Sequence, residues 1–141
     1  MIQLTKKQLD QIGTEAVLAY PAECCGLLVG EKDHDTHTLK RIVPSINLLK
    51  NQDNNYFEIN PQTRINVERE LRNTTEHIIG HFHSHPDQPA TPSKTDIKMA
   101  YEPELIWLIV AVSKGKVKNI SAYQLNALTS KITNVKYEIT K

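Results

Sequence analysis

The sequence predicts an α/β domain, with three helices against a mixed sheet of about six to eight strands. Three observations lead there. Short apolar runs rich in β-branched residues ("CCGLLVG", "HIIGHFH", "LIWLIVAVS") recur along the chain. Polar segments with helix-start signals at Thr5, Pro61 and Ser93 alternate with them. No repeat, low-complexity tract or linker breaks the alternation, so residues 1–141 read as one domain whose elements share a core.

The opening "MIQLTKKQLDQIG" is a polar helix pattern without the apolar centre of a signal peptide. Thr5 and Gln8 form a capping box, and Leu9, Ile12, Ala16, Val17 and Tyr20 follow at helical spacing. Pro21 stops this helix, because the residue before a proline avoids the α conformation. "CCGLLVG" (24–30) suits a buried strand, "EKDHD" a turn, and "THTLKRIVP" (36–44) a partner strand. "NYFEI" (55–59) reads as a further short strand. Pro61 is placed for the first turn of a helix running to about Arg72, with Ile65, Val67 and Leu71 on its apolar side.

"HIIGHFH" (77–83) has the β-branched content of a strand, and Ser93 with Asp96 makes a second capping pattern before "IKMAY". "LIWLIVAVS" (105–113) is the most apolar stretch and suits a central strand buried on both faces. "KGK" is a turn, and "VKNISAYQL" (117–125) and "KITNVKYEIT" (131–140) close the chain as two strands.

Composition excludes several classes of function. A chain of 141 residues buries roughly two-thirds of its unfolded surface, enough to fold without a disulfide framework. The net charge of +1, from 17 basic and 16 acidic side chains, lacks the basic excess of a nucleic-acid surface. No run of 18 apolar residues is present, which excludes a membrane-spanning helix. The expected location is cytoplasmic. Cys24 and Cys25 are adjacent, cannot form an ordinary disulfide, and read as small buried hydrophobes at a strand start.

The chemistry concentrates in "HFHSHPDQPATPSKTD" (81–96), where His81, His83 and His85 alternate. Alternate residues of a strand share a face, so His83 and His85 can converge on one ion. An aspartate oxygen from Asp96 would complete a three-ligand set, the catalytic zinc pattern that leaves a fourth position to water. Pro86, Pro89 and Pro92 stiffen the intervening loop and lower the entropy lost when it orders. His81 on the same face leaves a three-histidine site open as an alternative. Ser93 has two candidate roles: a helix N-cap, or a hydroxyl donating to an oxyanion beside the metal. Hydrolysis of an amide also needs a proton carrier. Spacing does not select one glutamate, but Glu23, between a helix stop and a buried strand, sits where loops place functional groups. His34, His37 and His77, near turns or strand edges, read as solvated.

The run His83-Ser84-His85-Pro86, then Ser93, then Asp96 matches H-[ST]-H-P-x6-S-x2-D. It resembles the signature of the JAMM (MPN+) metallopeptidases of the Jab1/MPN domain superfamily. "PAECCGLLVG" resembles that family's glutamate-bearing segment, and "VPSIN", "NYFEINPQ" and "LIWLIVAVS" look like family blocks in order. The likeness is to the short prokaryotic stand-alone members. It implies a single-domain MPN (cytidine-deaminase-like) fold in which His83, His85 and Asp96 hold one Zn2+. It also implies that Glu23 is the general acid/base and that Ser93 helps hold the oxyanion. His81 falls outside the motif. Asn47 is similar to a family asparagine to which no role is given.

The activity implied is hydrolysis of the peptide or isopeptide bond after the C-terminal glycine of a ubiquitin-like or sulfur-carrier protein. The partner would present a Gly-Gly tail, and a homodimer is a further possibility of the family. Two other readings stand beside it. One is a non-catalytic MPN-type module that binds a ubiquitin-like partner, in which Glu23→Gln would do no harm. The other is a two-histidine-one-carboxylate iron oxygenase, which uses the same ligand types.

Overall fold

The structure, a computed structural model, describes residues 1–49, 56–98 and 102–141. Its elements in chain order are β1 (Ile2–Thr5), α1 (Lys6–Ala19), β2 (Cys25–Asp33), β3 (Thr36–Ser45), α2 (Pro61–Glu70) and β4 (His77–Pro86). They continue with α3 (Lys94–Lys98), β5 (Ile106–Ser113), β6 (Lys116–Leu125), β7 (Ile132–Val135) and β8 (Tyr137–Thr140). The mixed sheet and three helices agree with the predicted α/β class. No helix among the described residues is long and apolar enough to cross a membrane.

The sheet runs β7-β6-β5-β4-β2-β3-β1-β8. β4 pairs antiparallel with β2 and parallel with β5, placing it near the middle. β7 and β8 are the two opposite edges, yet Lys136 alone separates them in sequence. One residue cannot cross a flat eight-stranded sheet, so the sheet curls until its edges nearly meet. α1 packs on one face, where Ile12 and Ala16 join Leu28, Phe82, Leu108 and Val110. On the opposite face Val67 of α2 packs with Leu27 and Val29.

Local signals explain several elements. Thr5 Oγ1 accepts from the Gln8 amide and Gln8 Oε1 accepts from the Thr5 amide, the predicted capping box. α2 starts with Pro61 behind an Asn60 cap. β5 is buried over all but its last residue, as its composition foretold.

Four expectations about the elements are corrected. The "MIQL" opening is a strand, not helix: β1 is too short to stand alone and exists because it pairs parallel with β3 and β8. "KITNVKYEIT" is two strands, since its halves pair with opposite edges. The "EKDHD" turn shrinks to His34–Asp35, with His34 at φ 54°, because Glu31–Asp33 stay in the ladder. "NYFEI", whose first residue lies outside the described residues, is not a strand. The Asn47 side chain and the Leu48 amide take its polar groups, and only Ile59 bridges to Asn47. Met99–Tyr101, the end of "IKMAY", also lie outside the described residues.

His37, expected to be solvated, is buried at 4% exposure because β1 lies against β3. Burial, with the nearby charges of Lys32 and the N-terminus, pushes its imidazole below the ordinary histidine range. His34 and His77 are exposed as expected.

Gly80 supports the central pairing. Ile79 is the extra residue of a bulge on β4, because Leu28 faces Gly80 while Val29 faces Ile78. A Cβ at Gly80 would run into the Ile106 carbonyl of β5. Gly80→Ala should therefore destabilise by about 1–3 kcal/mol, lowering Tm by roughly 3–10 °C. An unchanged thermal midpoint would show that β5 can move aside.

Candidate metal centre

β4 carries the alternating histidines between β2 and β5, with His83 opposite Cys25 on one side and Ile109 on the other. Both neighbours are buried, so His83 and His85 are almost without solvent contact, at 0% and 2% exposure. The loop after Pro86 returns the chain over the strand end. The Tyr20 hydroxyl (3.0 and 2.8 Å) and Ser113 hydroxyl (2.8 Å) donate to the Asp87 carboxylate. The Tyr123 hydroxyl donates to the Ala90 carbonyl at 3.0 Å. Together these contacts pin the loop at its start and its middle.

α3 then presents Asp96. Ser93 Oγ accepts from the Asp96 amide at 3.0 Å, and Asp96 Oδ2 accepts from the Ser93 amide at 2.9 Å. This is a reciprocal cap. Its hydroxyl oxygen is occupied as an acceptor, and its hydroxyl proton is available to donate.

Three atoms converge. His83 Nε2 and His85 Nε2 are 3.1 Å apart, and Asp96 Oδ2 is 3.2 and 3.0 Å from them. His85 Nδ1 lies 2.9 Å from the Pro89 carbonyl, which can only accept. Its proton therefore sits on Nδ1, and a neutral His85 turns a bare Nε2 lone pair toward the carboxylate. Lone pairs held this close repel unless a cation or a proton lies between them. A tetrahedral zinc ion with bonds of about 2.0–2.2 Å would set its ligand atoms about 3.3–3.6 Å apart, a few tenths of an ångström wider than these separations. The donor set, two imidazoles and a carboxylate, is also one that zinc accepts.

Glu23 joins this cluster from the segment between α1 and β2. It is 4% exposed, and its carboxylate and the two histidine nitrogens lie within 4.8 Å of one another. Two carboxylates and two imidazoles, their side chains nearly out of solvent, give a divalent cation a set of oxygen and nitrogen donors. Burial alone would raise the Asp96 carboxyl, but the His83 and His85 rings, once they take up a proton in place of a cation, hydrogen-bond to it and hold it well below the carboxylate range. Burial pushes the His83 imidazole down. At His85 burial acts in the same direction and is the largest single cause, but the Asp96 and Pro89 hydrogen bonds and the charges of Asp96 and Glu23 together outweigh it, and the net shift is upward.

His81 is not among the converging atoms. It packs in the strand with its ring 5.7 Å from Trp107 and 6.0 Å from Phe57, and burial pushes it down to about 3. It lines a cavity of about 340 Å³ beside His83 and Asp96, with Leu27, Phe57, Ile78, Arg64 and Trp107. Arg64 of α2 pairs with Glu102 beside this cavity. Cys24 and Cys25 are free and buried, and burial pushes their thiols up to about 11 and about 12. They are thiols rather than nucleophilic thiolates at neutral pH.

Phe57 escaped the sequence reading as a contributor to the site. Its ring stacks on His83, with centroids 4.2 Å apart and 16° between planes. Asp87 escaped it too, because its loop-pinning partners Tyr20 and Ser113 lie 67 and 26 residues away. An aromatic inside a family-like block was the only available hint for Phe57.

The model of the family described as prokaryotic homologs of the JAB domain matches residues 5–126. A desampylase of Haloferax volcanii is 29% identical over 63% of this chain and 62% of its own length. The chain thus spans less than two-thirds of that relative. A CysO-cysteine peptidase of Mycobacterium bovis is 26% identical over 82% of this chain and 78% of its own length. Among solved structures, a Desulfitobacterium hafniense protein superposes with a TM-score of 0.86 at 30% identity, covering 100% of this chain and 94% of that one. A JAB1/MPN domain protein of Archaeoglobus fulgidus shares the fold, with a TM-score of 0.62 at 18% identity over 100% of this chain and 98% of its own.

Proposed function

This chain belongs to the prokaryotic homologs of the JAB domain, and on that premise we propose that it is a zinc-dependent peptidase or isopeptidase. Its substrate would be the amide bond after the C-terminal glycine of a ubiquitin-like or sulfur-carrier protein. The observation that carries the reading is the convergence of His83 Nε2, His85 Nε2 and Asp96 Oδ2 within 3.2 Å, with the buried Glu23 carboxylate beside them. The relatives that are a desampylase and a CysO-cysteine peptidase support a hydrolase acting on such conjugates.

His83, His85 and Asp96 would hold the metal. Bound there, zinc would polarise the scissile carbonyl and make water a competent nucleophile near neutral pH. The chain's residues do the rest. The Glu23 carboxylate takes a proton from the attacking water and returns it to the leaving nitrogen. The Ser93 hydroxyl, already anchored by the Asp96 amide, donates to the developing oxyanion. Phe57, Trp107 and Leu27 wall the adjoining cavity and exclude water from an extended tail lying there. A Gly-Gly end brings no side chains to obstruct approach to the buried histidines.

The test uses untagged protein purified without added metal and a carrier protein whose Gly-Gly end is joined to an amine. About one zinc per chain is expected, with cleavage lost on chelation and restored by zinc. Stoichiometric iron would move the reading to an oxygenase. No metal after zinc is offered, or no cleavage by the zinc form, would leave a binding module.

A further inference from the structure

The Glu23–Cys24 peptide precedes β2, so one of its neighbours is a loop rather than a ladder. Its two polar groups are nevertheless both held, and by side chains. The Asn47 Nδ2 donates to the Glu23 carbonyl at 2.9 Å. The Cys24 amide donates to Ser84 Oγ at 2.8 Å. Asn47 is 5% exposed and Ser84 0%. The Ser84 amide also donates to the Cys24 carbonyl at 3.1 Å.

Asn47 uses its whole amide. Nδ2 also donates to the Tyr56 carbonyl at 3.0 Å, and Oδ1 accepts from the Leu49 and Glu58 amides, each at 3.0 Å. Carbonyls on one side and amides on the other fix its orientation. Through Tyr56 and Glu58 it grips the segment whose Phe57 ring covers His83. Ser84 lies between the two histidines, and strand alternation turns its side chain away from the face they share. Among the described residues, its hydroxyl reaches the centre through the Cys24 amide.

We propose that Asn47 and Ser84 are positioning residues that clamp the Glu23–Cys24 peptide from both sides and thereby aim the Glu23 carboxylate at the converging histidines and Asp96. The proposal rests on the reading of Glu23 as the proton carrier. A group that moves a proton must be held to about 0.5 Å, and burial of Glu23 in a loop does not achieve that unless the backbone is fixed. The clamp also gives a role to the serine inside the H-[ST]-H-P run, where a threonine hydroxyl would serve equally.

The experiment compares Ser84→Ala, Ser84→Thr and Asn47→Ala, each alone and in a Glu23→Gln background. The activity probe is a peptide ending in Gly-Gly amidated to a fluorogenic aminocoumarin. Ser84→Ala should lower kcat about 10–100-fold, the scale of a misplacement near 1 Å, with KM and zinc content unchanged. Ser84→Thr should restore it. In the Glu23→Gln background neither Ser84→Ala nor Asn47→Ala should cost anything more, since residues acting through one group are not additive. Independently of activity, NMR of the metal-free protein should show the Cys24 amide exchanging with solvent at least about tenfold faster in Ser84→Ala, a local opening.

An equal loss in the Glu23→Gln background, a parallel loss of zinc, or an unaltered Cys24 exchange rate would overturn the clamp while leaving Glu23 in its role. Normal turnover by Glu23→Gln alone would instead overturn the proton-carrier reading, and the clamp's catalytic purpose with it. If Asn47→Ala does not fold, the Ser84 pair decides.

Discussion

Glu23→Gln is expected to keep its zinc and lose turnover by about 10²–10⁴-fold, the usual contribution of a general acid/base. The glutamine fills the same buried space and leaves His83, His85 and Asp96 untouched. It cannot accept a proton from water at neutral pH or return one to the leaving nitrogen. Zinc content and thermal midpoint near wild type, with kcat reduced and KM little changed, are the expected pattern. A normal rate would move the proton carrier to another residue. Zinc lost along with the rate would make Glu23 a ligand instead, a possibility the 4.8 Å cluster makes concrete.

Asp96→Ala should lose the metal while the fold persists. Asp96 Oδ2 approaches both histidines, at 3.2 and 3.0 Å, so its removal leaves a two-nitrogen site. Outer-shell changes alone weaken metal binding about 10–100-fold, and loss of a ligand should exceed that. The structural cost should be small by comparison. Asp96 sits on α3, a five-residue helix with no buried residue, and the substitution removes half of the Ser93 cap, worth about 1 kcal/mol. The measurement is zinc per chain after dialysis, with the Tm of metal-free mutant and metal-free wild type compared. Full occupancy in the mutant would remove Asp96 from the ligand set.

The capping pairs Thr5–Gln8 and Ser93–Asp96, the apolar run of β5 and the shared face of His83 and His85 were all legible, because each is a contact between residues a few positions apart. β1 was not. Four residues hold no strand signal of their own, and partners 35 and 135 positions away make Ile2 a strand residue through its pairing with His37 and Tyr137. The division of "KITNVKYEIT" at Lys136 has the same origin. So does the burial of His37, which depends on β1 lying against β3.

The site divides along the same line. Local spacing along the chain determined the α/β class, the histidine pair and the capped aspartate, since the strand period of two and the first helical turn are properties of short segments. Only the tertiary structure decided that Glu23 faces that pair, that Phe57 covers His83, and that Asn47 and Ser84 grip one peptide from two directions. Those contacts join residues 24 to 62 positions apart. Hydrogen bonds and buried charges act through space, and chain folding alone sets which groups come within their reach.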